Sequence, residues 1–451
     1  MIFKFLGGVI ETVRNLNFVF ILLFGLSFSV AGHSQQIFNP IQSPYSNAIL
    51  ENQSFTTEPE WTSQLKEKFF NVRVKIFPHN SKYNAPQGRD INIGQLSISS
   101  NGDCNIYKSE FPTSENEITR NFLLKTGKKF DFSSATLIDP IWIECTQPFE
   151  VKRPDFPNSP ITYSGLLFLK SVKASPAFLT AVNVLPFEQY LKGVVPSEMP
   201  ASWSAEALKA QAIAARTYAY FELGTEVSSI DPNMSSEQSG AQIDDTVTYQ
   251  AYLGLKNNTV ATDTAIDQTT GQVMTYKNKV IKAYFSADSG GHTESSENVW
   301  GDIRPYVIAK PEIYPDGSVP GTTWSFTATF TDLSAKLVAA EFLSEGEILE
   351  SLSIDPHDLY PSTRPKNVEL KLTSGKSKRI SAVDYSFATK IKSAWISFSK
   401  GNDLKTITIS GRGFGHGAGM SQWGAKAMVD KLKMTHKQIL EFYYTDIQIV
   451  N

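Results

Sequence analysis

The chain has 451 residues, 41% hydrophobic and 19% charged, a globular composition long enough for two or three domains, or one large body with inserts, and able to bury a sizeable core without staples. Its net charge of −3 comes from 42 basic and 45 acidic residues with no long run of Lys or Arg, which excludes nucleic acid as the main partner because phosphate binding needs clustered cations. Neutral polymers such as glycans stay open, and the 12% aromatic content fits sugar stacking as well as it fits core packing.

The N-terminus reads as an export signal. Lys4 and Arg14 precede the apolar run Phe18–Val30, and the small residues Ser29, Ala31 and Gly32 follow, then the polar string His33-Ser34-Gln35-Gln36. This predicts a signal peptide over 1–32 and an exported chain placed in the periplasm or cell envelope. An uncleaved anchor is the alternative, and only that would put the protein on a membrane. The run is short for a full span, which takes ~20 apolar residues. Residues 33–63 read as a loose lead-in.

From 64 to 180 the pattern predicts a β-rich domain. Val72, Val74 and Ile76 alternate with Arg73 and Lys75, as a half-buried strand does. Ile93–Ser97, Ile141–Glu144 and Leu166–Leu169 look similar. The two cysteines, Cys104 and Cys145, both fall here; export permits a bridge between them, and the sequence leaves it open.

Residues 181–451 read as a second, mixed domain. Pro196 and Pro200 bracket Glu198, just before the Ala- and Leu-rich helix predicted for Ala205–Leu223. The prolines would hold the carboxyl in one orientation. Walls of Val195, Met199 and Trp203 would disfavour its charge and suit it to general acid work. On residues alone, an ordinary surface Glu explains the string too. Gln211 and Arg216 sit among the alanines of the helix, either buried with partners or on a solvated face.

A polar loop is expected from Glu226 to Gly240, then strands at Val273–Tyr276 and Val280–Ser286. The string Asp288-Ser289-Gly290-Gly291-His292-Thr293-Glu294 follows, where the glycine pair permits a tight turn and the small polar groups, Ser289 among them, suit sugar hydroxyls. An α/β insert is expected at about 315–400, with a helix at Leu333–Leu343 and strands at Val368–Leu372 and Trp395–Phe398. After a strand at Leu404–Ser410 comes Gly411-Arg412-Gly413-Phe414-Gly415-His416-Gly417-Ala418-Gly419-Met420-Ser421-Gln422-Trp423. It is neither a dinucleotide fingerprint nor a phosphate loop. Alternating glycines leave one face of an extended segment bare, so a helix or a ligand must lie against it. His416, Ser421, Gln422 and Trp423 supply a proton-handling or hydrogen-bonding group, two polar groups and a ring. Two helices are expected in the tail 421–444.

The strings Val194–Ala219 and Gly411–Ala425 resemble the two hallmark motifs of the stage II sporulation protein D family, which includes the LytB amidase enhancers. Tyr284–Glu294 and Leu440–Asp446 are similar to its other shared pieces, and the likeness runs from about Ile161 to the end of the chain. The resemblance implies an α+β fold and a lytic transglycosylase that cleaves peptidoglycan glycan strands, stripped of stem peptides, with Glu198 as catalytic acid. Gln211, Arg216, Ser289, His416, Ser421 and Gln422 then become candidates for holding substrate. It equally admits a non-catalytic, glycan-binding enhancer with a cell-wall amidase as partner. Some family members bind zinc near the Ser-Gly-Gly segment through Cys and His ligands. Here Phe285 and Asp288 stand where such ligands are expected, so no metal and no cofactor is expected.

Overall fold

The computed structural model describes residues 71–76, 93–108, 123–153, 160–173, 177–226, 241–245, 249–314, 317–401, 403 and 405–451. The export signal, the lead-in and residues 227–240 of the expected polar loop lie outside the described residues. The fold is α+β, with a β-rich N-terminal part followed by mixed helices and strands, as the sequence predicts. Two compact units divide the chain. The first holds the described residues of Ser46–Ser202 and Ala219–Thr270; the second holds Trp203–Tyr218 and Gly271–Asn451.

The first unit is built on a sheet of nine described strands: β1 (Asn71–Ile76), β2 (Gln95–Lys108), β3 (Leu123–Ser133), β4 (Ile141–Cys145), β5 (Phe149–Lys152), β6 (Ile161–Tyr163), β7 (Leu166–Val172), β8 (Phe178–Pro186) and β9 (Ile243–Asp244). Their order is β6-β5-β2-β4-β7-β8-β1-β9, with β3 also on β2. Val72, Val74 and Ile76 are fully buried, as their alternation predicts. In β8, residues Phe178–Leu185 are buried without alternation, as happens when both faces of a strand are covered. Trp142 and Phe168 meet at 4.9 Å above Val182 and Val184. Cys104 and Cys145 sit opposite each other across β2 and β4 and form a disulfide. It closes a loop of 41 residues, which by chain entropy stabilises the fold by about 4 kcal/mol at most.

β8 runs directly into a helix, Phe187–Glu198, that the sequence does not announce. Gly193 and Pro196 read as breakers, yet both are accommodated. Gly193 is needed because a Cβ there would lie 2.4 Å from the Tyr252 ring. Pro196 falls in the last turn; it lacks the N–H that would have bonded to the Lys192 carbonyl, so the helix gives up one hydrogen bond just before it ends. The long helix extends over Ala205–Glu226, close to expectation. Its residues to Tyr218 belong to the second unit.

The second unit has two apolar cores. In one, Ala210, Ile213 and Ala214 of the long helix pack with Met274, Ile281, Met420, Met428, Leu440 and Tyr444. In the other, Leu333, Leu337, Val368, Leu370 and Tyr385, which fall within 315–400, pack with Ile409 from beyond that stretch. The strands Thr323–Thr329, Thr406–Arg412 and Ile396–Lys400 form one sheet, and Leu349–Ser353, Asn367–Leu372 and Ser377–Ser381 another. The continuous strand expected over Val280–Ser286 is instead two short pieces, Lys279–Val280 and Phe285–Ser286. The expected tail helices are Gln422–Leu432 and His436–Tyr443. Among the described residues, no helix is long and apolar enough to cross a membrane.

Candidate functional site

Glu198 belongs to the first unit. It is the last residue of the helix Phe187–Glu198, and only 7% of its surface is exposed. The backbone N–H of Ala251 donates to its Oε1 at 2.7 Å, across 53 residues of chain. Val195 and Met199, two of the walls expected from the sequence, are buried beside it in the chain. Segment 250–252 is itself tied down. Tyr190 donates to Gln250 Oε1 at 3.2 Å, and Tyr252 donates to Asn183 Oδ1 at 2.6 Å. Burial, with the charges of Tyr252 and Glu198 nearby, pushes the Tyr190 phenol up, so it stays a donor.

The other six candidates belong to the second unit. Gln211 and Arg216 are fully buried, which decides between the two readings of the helix face. Arg216 Nη1 donates to the Gln272 carbonyl at 3.3 Å. Gln422 Nε2 lies 3.5 Å from Gln211 Oε1, and the Gln211 Nε2 is buried without a hydrogen-bond partner among the described residues. Buried amides of that kind hold a water or a polar group of a ligand.

The glycine string is not extended. Gly413, Gly415, Gly417 and Gly419 all have positive φ, and what fills their bare side is neither helix nor ligand but the chain at 284–290 and Arg364. At Gly419 a Cβ would fall 1.9 Å from the Tyr284 carbonyl oxygen. Phe414 and Asp288 exchange backbone hydrogen bonds at 2.7 and 2.9 Å, and Phe285 and Ser286 pair in parallel with Met420 and Ser421. Two of the motifs picked out in the sequence thus form one laced structure.

Ser421 caps the helix Gln422–Leu432, accepting from Gly424 N at 3.0 Å, and its Oγ also accepts from Ser289 N at 3.3 Å. Ser289 Oγ donates to Glu312 Oε2 at 2.6 Å. Tyr314 and Tyr443 donate to the same carboxyl. Burial pushes Glu312 up despite these donors. His416 accepts from Ala418 N at Nδ1, 3.0 Å, and its ring packs 4.7 Å from Trp300. Burial, aided by the Arg364 charge, pulls its imidazole down to about 4 against a hydrogen bond with the Phe285 backbone. His416 is therefore neutral near pH 7, and because its Nδ1 accepts, its proton is on Nε2.

Sequence reasoning missed Glu312 and Arg364. Arg364 is buried, donates to the carbonyls of Ser289 at 2.6 Å and His292 at 2.8 Å, and lies 3.7 Å from Glu294. Its guanidinium also covers Trp395 at 4.6 Å. Neither residue lies in a string with unusual composition, so no signal marked it. Tyr443 sits in the shared tail and was within reach.

A zinc site does not fit these residues. Both cysteines are bonded to each other in the first unit. Asp288 accepts from Gly290 N and Thr322 Oγ1, and His292 Nδ1 lies 2.7 Å from the Thr293 carbonyl. Among the described residues no group of three or more His, Cys, Asp or Glu could hold a metal ion.

The profile of a family described as stage II sporulation protein matches residues 177–276, the stretch that carries Glu198 and the long helix. An uncharacterized protein of Brachyspira hyodysenteriae is 34% identical over 295 residues, which cover 64% of this chain and 74% of that one. A stage II sporulation protein D of Bacillus subtilis is 31% identical over 298 residues, covering 62% of this chain and 81% of that one. An amidase enhancer of Bacillus subtilis is 34% identical over 300 residues, covering 56% of this chain but 39% of its own length.

Proposed function

Because this chain belongs to the stage II sporulation protein D family, whose members serve the cell wall, we propose that it is an exported lytic transglycosylase that cuts peptidoglycan glycan strands between N-acetylmuramic acid and N-acetylglucosamine. The observation that carries this reading is Glu198: a buried carboxyl, held from a distant segment by the Ala251 N–H. A solvated surface Glu needs no such anchor.

The chemistry asks for one carboxyl used twice. Glu198 gives its proton to the glycosidic oxygen as the bond from C1 to that oxygen breaks. The 6-hydroxyl oxygen of the same muramic acid bonds to C1, and its proton passes to the Glu198 carboxylate. The product is a 1,6-anhydro end, no water is consumed, and Glu198 is restored. A hydrolase would need a second carboxyl to activate water. In the second unit, Gln211, Arg216, Ser289, His416, Ser421 and Gln422 are the candidates for holding glycan.

The amidase-enhancer reading is favoured by one observation, the 34% identity to a protein of that name. In it the same groups bind glycan, Glu198 is one hydrogen-bonding group among several, and the partner is a cell-wall amidase. Mass spectrometry of products from stem-free peptidoglycan, without added metal, separates the readings. Anhydro-ended fragments support the lytic enzyme. Reducing ends mean hydrolysis. Binding without release, together with acceleration of an added amidase, supports the enhancer.

A further inference from the structure

Tyr190 touches both neighbours of the residue that holds Glu198. Its hydroxyl donates to the Gln250 side chain at 3.2 Å, and its ring lies 5.3 Å from that of Tyr252. Between them lies Ala251, whose N–H donates to Glu198 Oε1 at 2.7 Å. Tyr190 and Glu198 are on one helix, so that helix carries both the carboxyl and the clamp on its donor. Tyr190, Gln250, Ala251 and Tyr252 are all buried. The far side of the clamp is closed too. Tyr252 donates to Asn183 Oδ1 at 2.6 Å, and its ring occupies the space that a Cβ at Gly193 would need.

Fold stability alone does not ask for this. A buried phenol needs any acceptor, and a buried backbone N–H needs any carbonyl. Here the N–H is spent on a carboxyl and the phenol on a side chain one residue away, so the position of the carboxyl depends on the phenol. We propose that Tyr190 is a positioning residue for Glu198, acting through Gln250 and the Ala251 amide. This rests on Glu198 being the acid of the reading above. A proton donor displaced by a fraction of an ångström from the glycosidic oxygen loses rate without losing substrate affinity.

Two variants break the link from opposite ends: Tyr190→Phe, which keeps the ring, and Gln250→Met, which keeps the length but not the acceptor. Each is compared with wild type on stem-free glycan, alongside amide hydrogen exchange at Ala251 and thermal unfolding. The expected result is a fall in kcat of about tenfold with KM within about twofold. The alkaline limb of the pH–rate profile, on which activity falls as Glu198 loses its proton, moves, and Ala251 exchanges about tenfold faster. The double variant loses no more than either single one, because both remove the same link. Unchanged kcat in both variants overturns the proposal, as does a double loss equal to the product of the single losses. A kcat loss with Ala251 exchange unchanged overturns it as well. If wild type itself releases no anhydro ends, the lytic reading fails on its own account. Ala251 exchange then decides the clamp: faster in Tyr190→Phe supports it, and unchanged sinks it.

Discussion

The backbone of Gly419 lies directly on the carbonyl of Tyr284: Met420 N–H donates to that oxygen at 3.0 Å, and a Cβ at 419 would sit 1.9 Å from it. Tyr444 donates its hydroxyl to the same oxygen at 2.7 Å. One carbonyl thereby joins the glycine string, the segment before Asp288 and the tail.

Gly419→Ala should therefore prevent folding of the second unit or lower its stability by more than about 3 kcal/mol, since backbone must move as well as adopt a strained φ. Gly271→Ala is the control, because it also has positive φ but nothing within 4 Å of its Cβ. It should cost only about 1 kcal/mol. Chemical denaturation of the two variants checks the contrast, and equal losses would refute it.

Glu198→Gln should cut release of anhydro ends by at least about 100-fold, the low end of what a general acid contributes. Glycan affinity should stay within about threefold, because the amide keeps an oxygen for the Ala251 N–H. Product release and equilibrium binding on the same preparation test it, and undiminished turnover would remove Glu198 from the reaction.

Glu312 has its carboxyl pushed up by burial in the folded state. Between the ordinary value and the raised one, the native protein keeps a proton that the unfolded chain releases, so this stabilising contribution is full at low pH and fades as pH rises. The thermal advantage of wild type over Glu312→Gln should be largest at about pH 4 and shrink toward pH 8. Melting temperatures across that range measure it; an advantage that grows with pH would contradict the assignment.

Glu206 shows the opposite sign. Burial pushes its carboxyl up, but His436, through backbone N–H and ring, and Lys209 outweigh this and hold it at about 2. Its contribution is present above the ordinary carboxylate value and lost as pH falls toward 2. Glu206→Gln should cost no more than about 1 kcal/mol near neutrality, since solvent screens a partly exposed pair. The difference from wild type should shrink below the ordinary carboxylate range and vanish below about pH 2 in acid unfolding curves.

Several elements were legible because their signal is local. The alternation of Val72, Val74 and Ile76 and the alanine-rich run after Ala205 each carry their own periodicity. The helix Phe187–Glu198 was not, because Gly193 and Pro196 argue locally against it and the close approach of Tyr252 and the Gly254 carbonyl explains the glycine. The glycine string is unusual on sequence alone, but its conformation is not legible there, since glycine marks both left-handed φ and close approach to an extended segment.

Glu198, Ser289, His416, Ser421 and Gln422 could be named from the sequence because they stand in strings that resemble the family's motifs, of which the one with Glu198 lies in the matched stretch 177–276. What the sequence could not supply was their partners. Ala251 lies 53 residues from Glu198, Glu312 lies 23 from Ser289, and Arg364 lies 75 from it. Hydrogen bonds across such separations leave no periodic trace, because they depend on where the chain returns rather than on what neighbours it. The sequence determined the family, the β-then-α order and the identity of the outstanding carboxyl. Tertiary structure alone decided which N–H holds that carboxyl, that His416 is neutral, and that the bare side of the glycines is filled by the protein's own chain.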